Sequence, residues 1–332
     1  MPGSHPPSNS NSNSDSLFAL EREPEIQTLN SGFLQKRDIA LAVLRLDQIH
    51  PQISGNKWFK LKLNIEAIQQ AGHSTVLSFG GAWSNHLLAL ANAGKLMGFD
   101  TIGVVRGDID DPDNPVLAHL RSQGMRLHSV TRSDYRLKAE PEFQDALRQR
   151  FGDFYLLPEG GSNDLAVAGC REIVDYLHWQ YPSRRHLLAL ACGTGATLAG
   201  IVLGLAAREQ TTTRALGIAV LKAPGYLERE VSGWLSHFAA GLPVNSSSDS
   251  GVRWAISDDY HCGGYARRNR ELDAFLQCFA EQCAVPVEPV YTGKLAYGLY
   301  RAIRQGQIEP GTEVIAIHTG GLGPDPAAAG FD

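Results

Sequence analysis

Residues 189–200 read ALACGTGATLAG: an apolar run ends in Cys-Gly-Thr-Gly, and a second apolar run with helical spacing follows. A buried strand, a glycine loop and a helix start fit that string. Small residues let backbone N–H groups converge, and the positive end of the helix favours an anion. A phosphate would suit the loop, although a plain tight turn would leave the same trace. Neither GK[ST] nor GxGxxG is present, so the loop is not a Walker loop or a dinucleotide fingerprint.

Outward from this stretch, the same alternation repeats. STVLSF (74–79), TIGVVRG (101–107), RLHSV (126–130), FYLLPEG (154–160), HLLALAC (186–192), ALGIAVLKAP (215–224), VRWAISDDY (252–260), VEPVY (287–291) and EVIAIHTGG (313–321) read as strands with their exits. HLLALANAGKLMG (86–98), PVLAHLRSQG (115–124), AEPEFQDALRQR (139–150), TLAGIVLGLAARE (197–209), the stretch after Gly225, ARRNRELDAFLQCFAEQC (266–283) and LAYGLYRAIRQG (295–306) carry helical spacing between them. Repeated strand–loop–helix units predict an α/β protein of open, twisted parallel sheets covered by helices on both faces.

At 332 residues the chain exceeds one simple core and predicts two domains. The expected division is a large domain of residues 17–65 and 176–332, a small domain of residues 66–175, and a disordered Ser/Asn/Pro tail at 1–16. Charged residues make up 20% and the formal net charge is -5, so no basic field serves nucleic acid or a membrane surface. No apolar run is long enough to span a bilayer, and the N-terminus lacks the apolar core of a signal peptide. The five cysteines are odd in number and lack zinc-site spacing, which suits a reduced cytoplasmic protein without a metal.

In such sheets ligands bind beyond the carboxyl ends of strands. Four strand exits hold the candidate chemistry: FGGAWSNH (79–86), the loop at 192–197, VYTGK (290–294) and HTGG (318–321). Ser84 and Asn85 also fit an ordinary helix cap, and Tyr291 with Thr292 fits a structural tyrosine before a capping threonine. SGNKWFKLKLN (54–64) adds Lys57, Lys60 and Lys62 beside Trp58 and Phe59. An apolar setting lowers a lysine pKa and frees its amine as a nucleophile. A nucleophilic lysine with a phosphate loop points to pyridoxal phosphate, which needs an amine, an anion cradle and a partner for its ring nitrogen.

SGNKWFKLK, WSNH, PEGGSN, GTGATLAG, VYTGK and HTGG stand in one order over residues 30–322. In this the chain resembles the ACC deaminase/D-cysteine desulfhydrase family of fold-type II pyridoxal-phosphate enzymes. The resemblance implies that Lys57 is the lysine joined to the cofactor and that Lys60 helps bind its phosphate, leaving Lys62 a solvated surface role. It implies a phosphate cradle of Gly193, Thr194, Gly195, Ala196 and Thr197, and Asn85 on the ring hydroxyl. Ser84, Asn85, His86 and Trp83 would meet a small amino-acid substrate. Tyr291 and Tyr265 would act in proton transfer.

Departures from the family pattern concern the substrate. Ser54 replaces a glycine, Trp83 replaces a glutamine, and Leu87 and Leu88 stand where an arginine is usual. Thr292, Thr319 and His86 match the desulfhydrase pattern, in which hydroxyls rather than a carboxylate serve the ring nitrogen. The resemblance therefore implies β-elimination from D-cysteine, giving pyruvate, ammonia and hydrogen sulfide. ACC deamination and a sensor with little turnover are the alternatives. A homodimer is expected.

Overall fold

The computed structural model describes residues 19–238 and 251–323. The tail expected at 1–16 lies outside them. Two sheets organise the chain. The larger contains β1 (Ile26–Leu29), β2 (Ile39–Leu44), β7 (Arg185–Cys192), β8 (Arg214–Ala219), β9 (Trp254–Ser257) and β10 (Thr312–Ile317), in the order β1-β2-β10-β7-β8-β9. The smaller contains β3 (Thr75–Gly81), β4 (Asp100–Arg106), β5 (Arg126–Val130) and β6 (Tyr155–Leu157), in the order β5-β4-β3-β6.

All pairings are parallel except β1 with β2. The expected parallel sheets are thus present, with one antiparallel edge strand. The link between the two strands holds only a short helix, too little chain for a crossover, so β1 returns along an edge. Neither strand was singled out from the sequence. VEPVY is a correction, since residues 285–290 form no strand. Pro286 and Pro289 have no N–H to give a ladder, and the Glu288 carboxylate accepts the N–H groups of Val290 and Tyr291.

The helices are α1 (Gly32–Lys36), α2 (Asn56–Gln70), α3 (Asn85–Met97), α4 (Pro115–Ser122), α5 (Arg132–Tyr135), α6 (Pro141–Phe151), α7 (Asp164–Cys170), α8 (Ala196–Ala207), α9 (Tyr226–Phe238), α10 (Arg270–Gln282) and α11 (Thr292–Arg304). Helix α8 is apolar on every side and buried from Ala196 to Ala206, as a central helix must be. It meets α7 so closely that a Cβ on Gly200 would lie 2.6 Å from the Val167 carbonyl.

One hydrophobic cluster joins the two sheets: it runs from Leu44 through Phe59, Val76 and Leu90 to Leu188, Leu198 and Ile315. Residues 75–157 supply every strand of the smaller sheet. We keep boundaries near 66 and 175 as a proposal. Among the described residues no helix is long and apolar enough to cross a membrane.

Candidate active site

The carboxyl ends of β10, β7 and β8 face those of β3, β4 and β6 across a cavity of about 870 Å³. Its walls are strand exits and helix starts, where a doubly wound sheet places its ligands. Asn56, Lys57 and Lys60 enter from α2, Gly80, Gly81, Ser84, Asn85 and His86 from the β3 exit and the α3 start, and Gly160 from the β6 exit. Gly193, Thr194, Gly195 and Thr197 enter from the β7 exit, Tyr265 and Tyr291 from later loops, and Thr319 from the β10 exit.

The start of α2 is fixed by close backbone packing. Gly55 has φ 69° and ψ -156°, a region that side chains avoid. A Cβ there would lie 2.0 Å from the Thr319 carbonyl oxygen. The HTGG loop is held in turn by His318, whose Nε2 donates to the Pro286 carbonyl at 2.7 Å. His318 Nδ1 lies 3.2 Å from buried Asp47, which also pairs with Arg45 at 2.7 Å.

Lys57 Nζ has one hydrogen-bond partner, Asn56 Oδ1 at 3.0 Å. Burial lowers its pKa to about 8, with Cys170 and Glu288 opposing the shift. Lys60 Nζ donates to the Gly160 carbonyl at 2.7 Å and to Ser162 Oγ at 2.8 Å. Burial and then the charge of Lys57 lower its pKa to about 7. Lys62 is no free surface cation: it pairs with Glu172 at 2.8 Å and sits 5.6 Å from the Trp58 ring centroid.

Helix α8 starts at Gly195 with no side-chain cap, so its first N–H groups remain available. Ala196 is the first residue of the helix and does not line the cavity, so its share in a cradle is limited to backbone. Thr197 Oγ1 accepts from Asn56 Nδ2 at 2.8 Å, and Thr194 Oγ1 meets Ser162 Oγ at 2.7 Å. Ser84 both caps α3, accepting the Leu87 N–H at 3.3 Å, and lines the cavity beside Asn85. The Tyr265 and Tyr291 rings meet edge to face at 6.0 Å. Burial, then the neighbouring Tyr265, pushes the Tyr291 phenol well above its usual range.

Two expected contacts, Trp83 and Thr292, are not placed as anticipated, while His86 is in the cavity. The Trp83 side chain is 52% exposed and does not line the cavity. Thr292 is buried outside it, where Oγ1 accepts the Glu288 N–H at 3.0 Å and the Thr292 N–H donates back to Glu288 Oε1 at 2.7 Å. His86 lines the cavity, with Nε2 2.7 Å from Ser78 Oγ. Its Nδ1 is buried with no hydrogen-bond partner among the described residues, and burial followed by Lys57 and Lys60 holds the imidazole well below its usual pKa.

Asn56, Ser162 and Glu288 were given no role from the sequence. The asparagine bridges the lysine to the glycine loop, Ser162 receives Lys60, and Glu288 caps α11. An acid four residues before a helix was a readable signal for the last. The other two needed contacts across about a hundred positions or more.

Residues 29–320 match the family described as "Pyridoxal-phosphate dependent enzyme". The chain belongs to that family. Among pyridoxal-phosphate enzymes it is similar to the Arabidopsis thaliana "Bifunctional D-cysteine desulfhydrase/1-aminocyclopropane-1-carboxylate deaminase, mitochondrial", 31% identical over 85% of this chain and 72% of the relative. It is also similar to the "1-aminocyclopropane-1-carboxylate deaminase" of Burkholderia vietnamiensis, 28% identical over 81% of this chain and 82% of the relative. The solved structure of an "ACC deaminase homologue" superposes with a TM-score of 0.76 at 24% identity, covering 92% of this chain and 91% of that one. The fold is that of the fold-type II pyridoxal-phosphate enzymes.

The residues present fit this cofactor. The uncapped α8 start and Lys60 supply N–H donors and a cation for a phosphate, while Lys57 supplies an amine with a lowered pKa. The two features lie in one cavity, joined by Asn56.

Proposed function

We propose that the chain is a lyase that removes a β-substituent and ammonia from a small amino acid, with D-cysteine as the leading substrate. When bound, pyridoxal phosphate supplies an electron sink for the bonds at Cα. Lys57 would hold the cofactor through its amine and, when free, would take or return the proton at Cα. The α3 start, with Ser84 and Asn85, receives the substrate carboxylate through N–H groups at a positive helix end. Tyr291, backed by Tyr265, keeps its proton at neutral pH and serves as a donor toward the leaving group.

One observation carries the choice of β-elimination. Among the described residues that line the cavity the only carboxylate is Glu159, which is bound by the Tyr135 hydroxyl at 2.8 Å and by Lys138 at 3.4 Å. Thr319 is left to serve the ring nitrogen with a hydroxyl. A hydroxyl protonates that nitrogen less than a carboxylate does, so the sink is weaker. Loss of a thiol tolerates a weaker sink than opening a cyclopropane with carbon as leaving group. The names of the relatives support ring opening of ACC as the second reading.

A screen of D- and L-cysteine and ACC for keto-acid release tests the choice. Pyruvate and sulfide from D-cysteine, with little 2-oxobutyrate from ACC, is the expected result. Efficient 2-oxobutyrate release with no pyruvate would overturn it in favour of the deaminase.

A further inference from the structure

Among the described residues six cationic side chains line the cavity, Lys57, Lys60, Arg106, Arg136, Lys222 and Arg267, against the single acid Glu159. The chain as a whole is acidic, at -5, so this excess is not background. The cofactor accounts for Lys57 and Lys60, and the uncapped α8 start adds a further partial positive charge for its phosphate. A substrate α-carboxylate adds one negative charge. Arg106, Arg136, Lys222 and Arg267 remain, and none has an ion-pair partner among the described residues.

Their placement is definite. Arg106 ends β4 and lies over the Tyr135 ring, its guanidinium carbon 5.4 Å from the centroid. Tyr135 is itself fixed by Glu159. This leaves Arg106 Nη2 only 4.0 Å from where a Cβ on Gly81 would stand, beside the Ser84 loop. Arg136 follows Tyr135 directly, and Arg267 follows Tyr265 by two residues. The Arg106 charge reaches Tyr265, where it works against the upward push of burial on that phenol. Arg106 thus stands at the Ser84 loop, and Arg136 and Arg267 line the same cavity from the end of α5 and from the tyrosine loop.

We propose that the three arginines form a second anion subsite, and that besides D-cysteine the enzyme takes amino acids whose side chain ends in a negatively charged group: a carboxylate, a sulfonate or a phosphate ester. This rests on the reading of the cavity as an amino-acid site and extends its substrate class. The cavity, at about 870 Å³, lies toward the upper end of the range for small-molecule sites and leaves room for such a group beside the cofactor. Unpaired guanidiniums present planar forks suited to oxyanions.

Calorimetric titration of the cofactor-loaded protein with propionate, succinate and 3-phosphonopropionate tests this without turnover. At least one of the two dianions should bind about tenfold or more tighter than propionate, a step of about 1.4 kcal/mol. Arg106→Gln, Arg136→Gln and Arg267→Gln should each weaken dianion binding by about three- to tenfold, with the cofactor absorbance intact and propionate binding little altered. Equal affinity for mono- and dianions, or equal losses for both in the variants, would overturn the subsite. A dianion preference in a protein that leaves D-cysteine untouched would count against D-cysteine as the substrate and not against the subsite.

Discussion

Lys60 of α2 donates to the Gly160 carbonyl at 2.7 Å and so ties the amine-bearing helix to the exit of the smaller sheet. A buried ammonium so placed can meet a phosphate at the α8 start. Lys60→Ala should weaken cofactor binding by about 1.5–3 kcal/mol, the range for a charged hydrogen bond. Lys62→Ala, which removes a partly exposed pair with Glu172, should leave cofactor affinity close to the parent value. A fluorescence titration of the stripped protein separates the two. Lys60 in the free protein loses its proton near pH 7, so affinity should fall as pH rises above that point.

Lys57 makes the opposite demand on pH. The neutral amine is the nucleophile, so the rate of cofactor attachment should climb with pH and level off above about 8. Borohydride treatment followed by peptide mapping should find the cofactor on Lys57. Label on another lysine would remove the assignment.

Gly55→Ala tests the backbone seat of α2. Its φ 69°, ψ -156° conformation costs a side-chain residue about 1–3 kcal/mol, before the contact with the Thr319 carbonyl is counted. Thermal unfolding should shift down, and the cofactor should dissociate faster than from the parent. An unaltered off-rate would mean that α2 reseats without harm.

Thr292 and Thr319 should separate cleanly. Thr292→Val strips the Glu288 N–H of its acceptor and should cost stability by about 1–3 kcal/mol with the cofactor spectrum preserved. Thr319→Val should leave stability nearer the parent and alter the cofactor absorbance and turnover. The reverse pattern would place Thr292 at the ring.

The glycine loop, the lysine and the order of strand exits were legible because each rests on local chemistry: small residues for a tight turn, apolar runs for buried strands. Distant partners were not. Nothing in PEGGSN says that its Gly160 carbonyl receives a lysine a hundred residues earlier. Trp83 sits one residue before a cavity-lining serine and still faces solvent, because the turn into α3 separates adjacent side chains. Thr292 follows Tyr291 yet lies outside the cavity, since it is engaged with Glu288. β1 and β2 were missed because the apolar run at 39–44 has no regular alternation with helices around it.

The position of β10 sets an order for biosynthesis. This strand, residues 312–317, lies between β2 and β7, and no other strand joins those two. On the ribosome, the segment bearing Lys57 and the segment bearing the glycine loop are both made long before the strand that bridges their sheet. A nascent chain stopped short of residue 312 would own the amine and most of the cradle and lack the strand that aligns them. Capture of the cofactor would then report that translation has passed residue 317, and chains stopped earlier would be left with unpaired strand edges for chaperones and proteases to recognise.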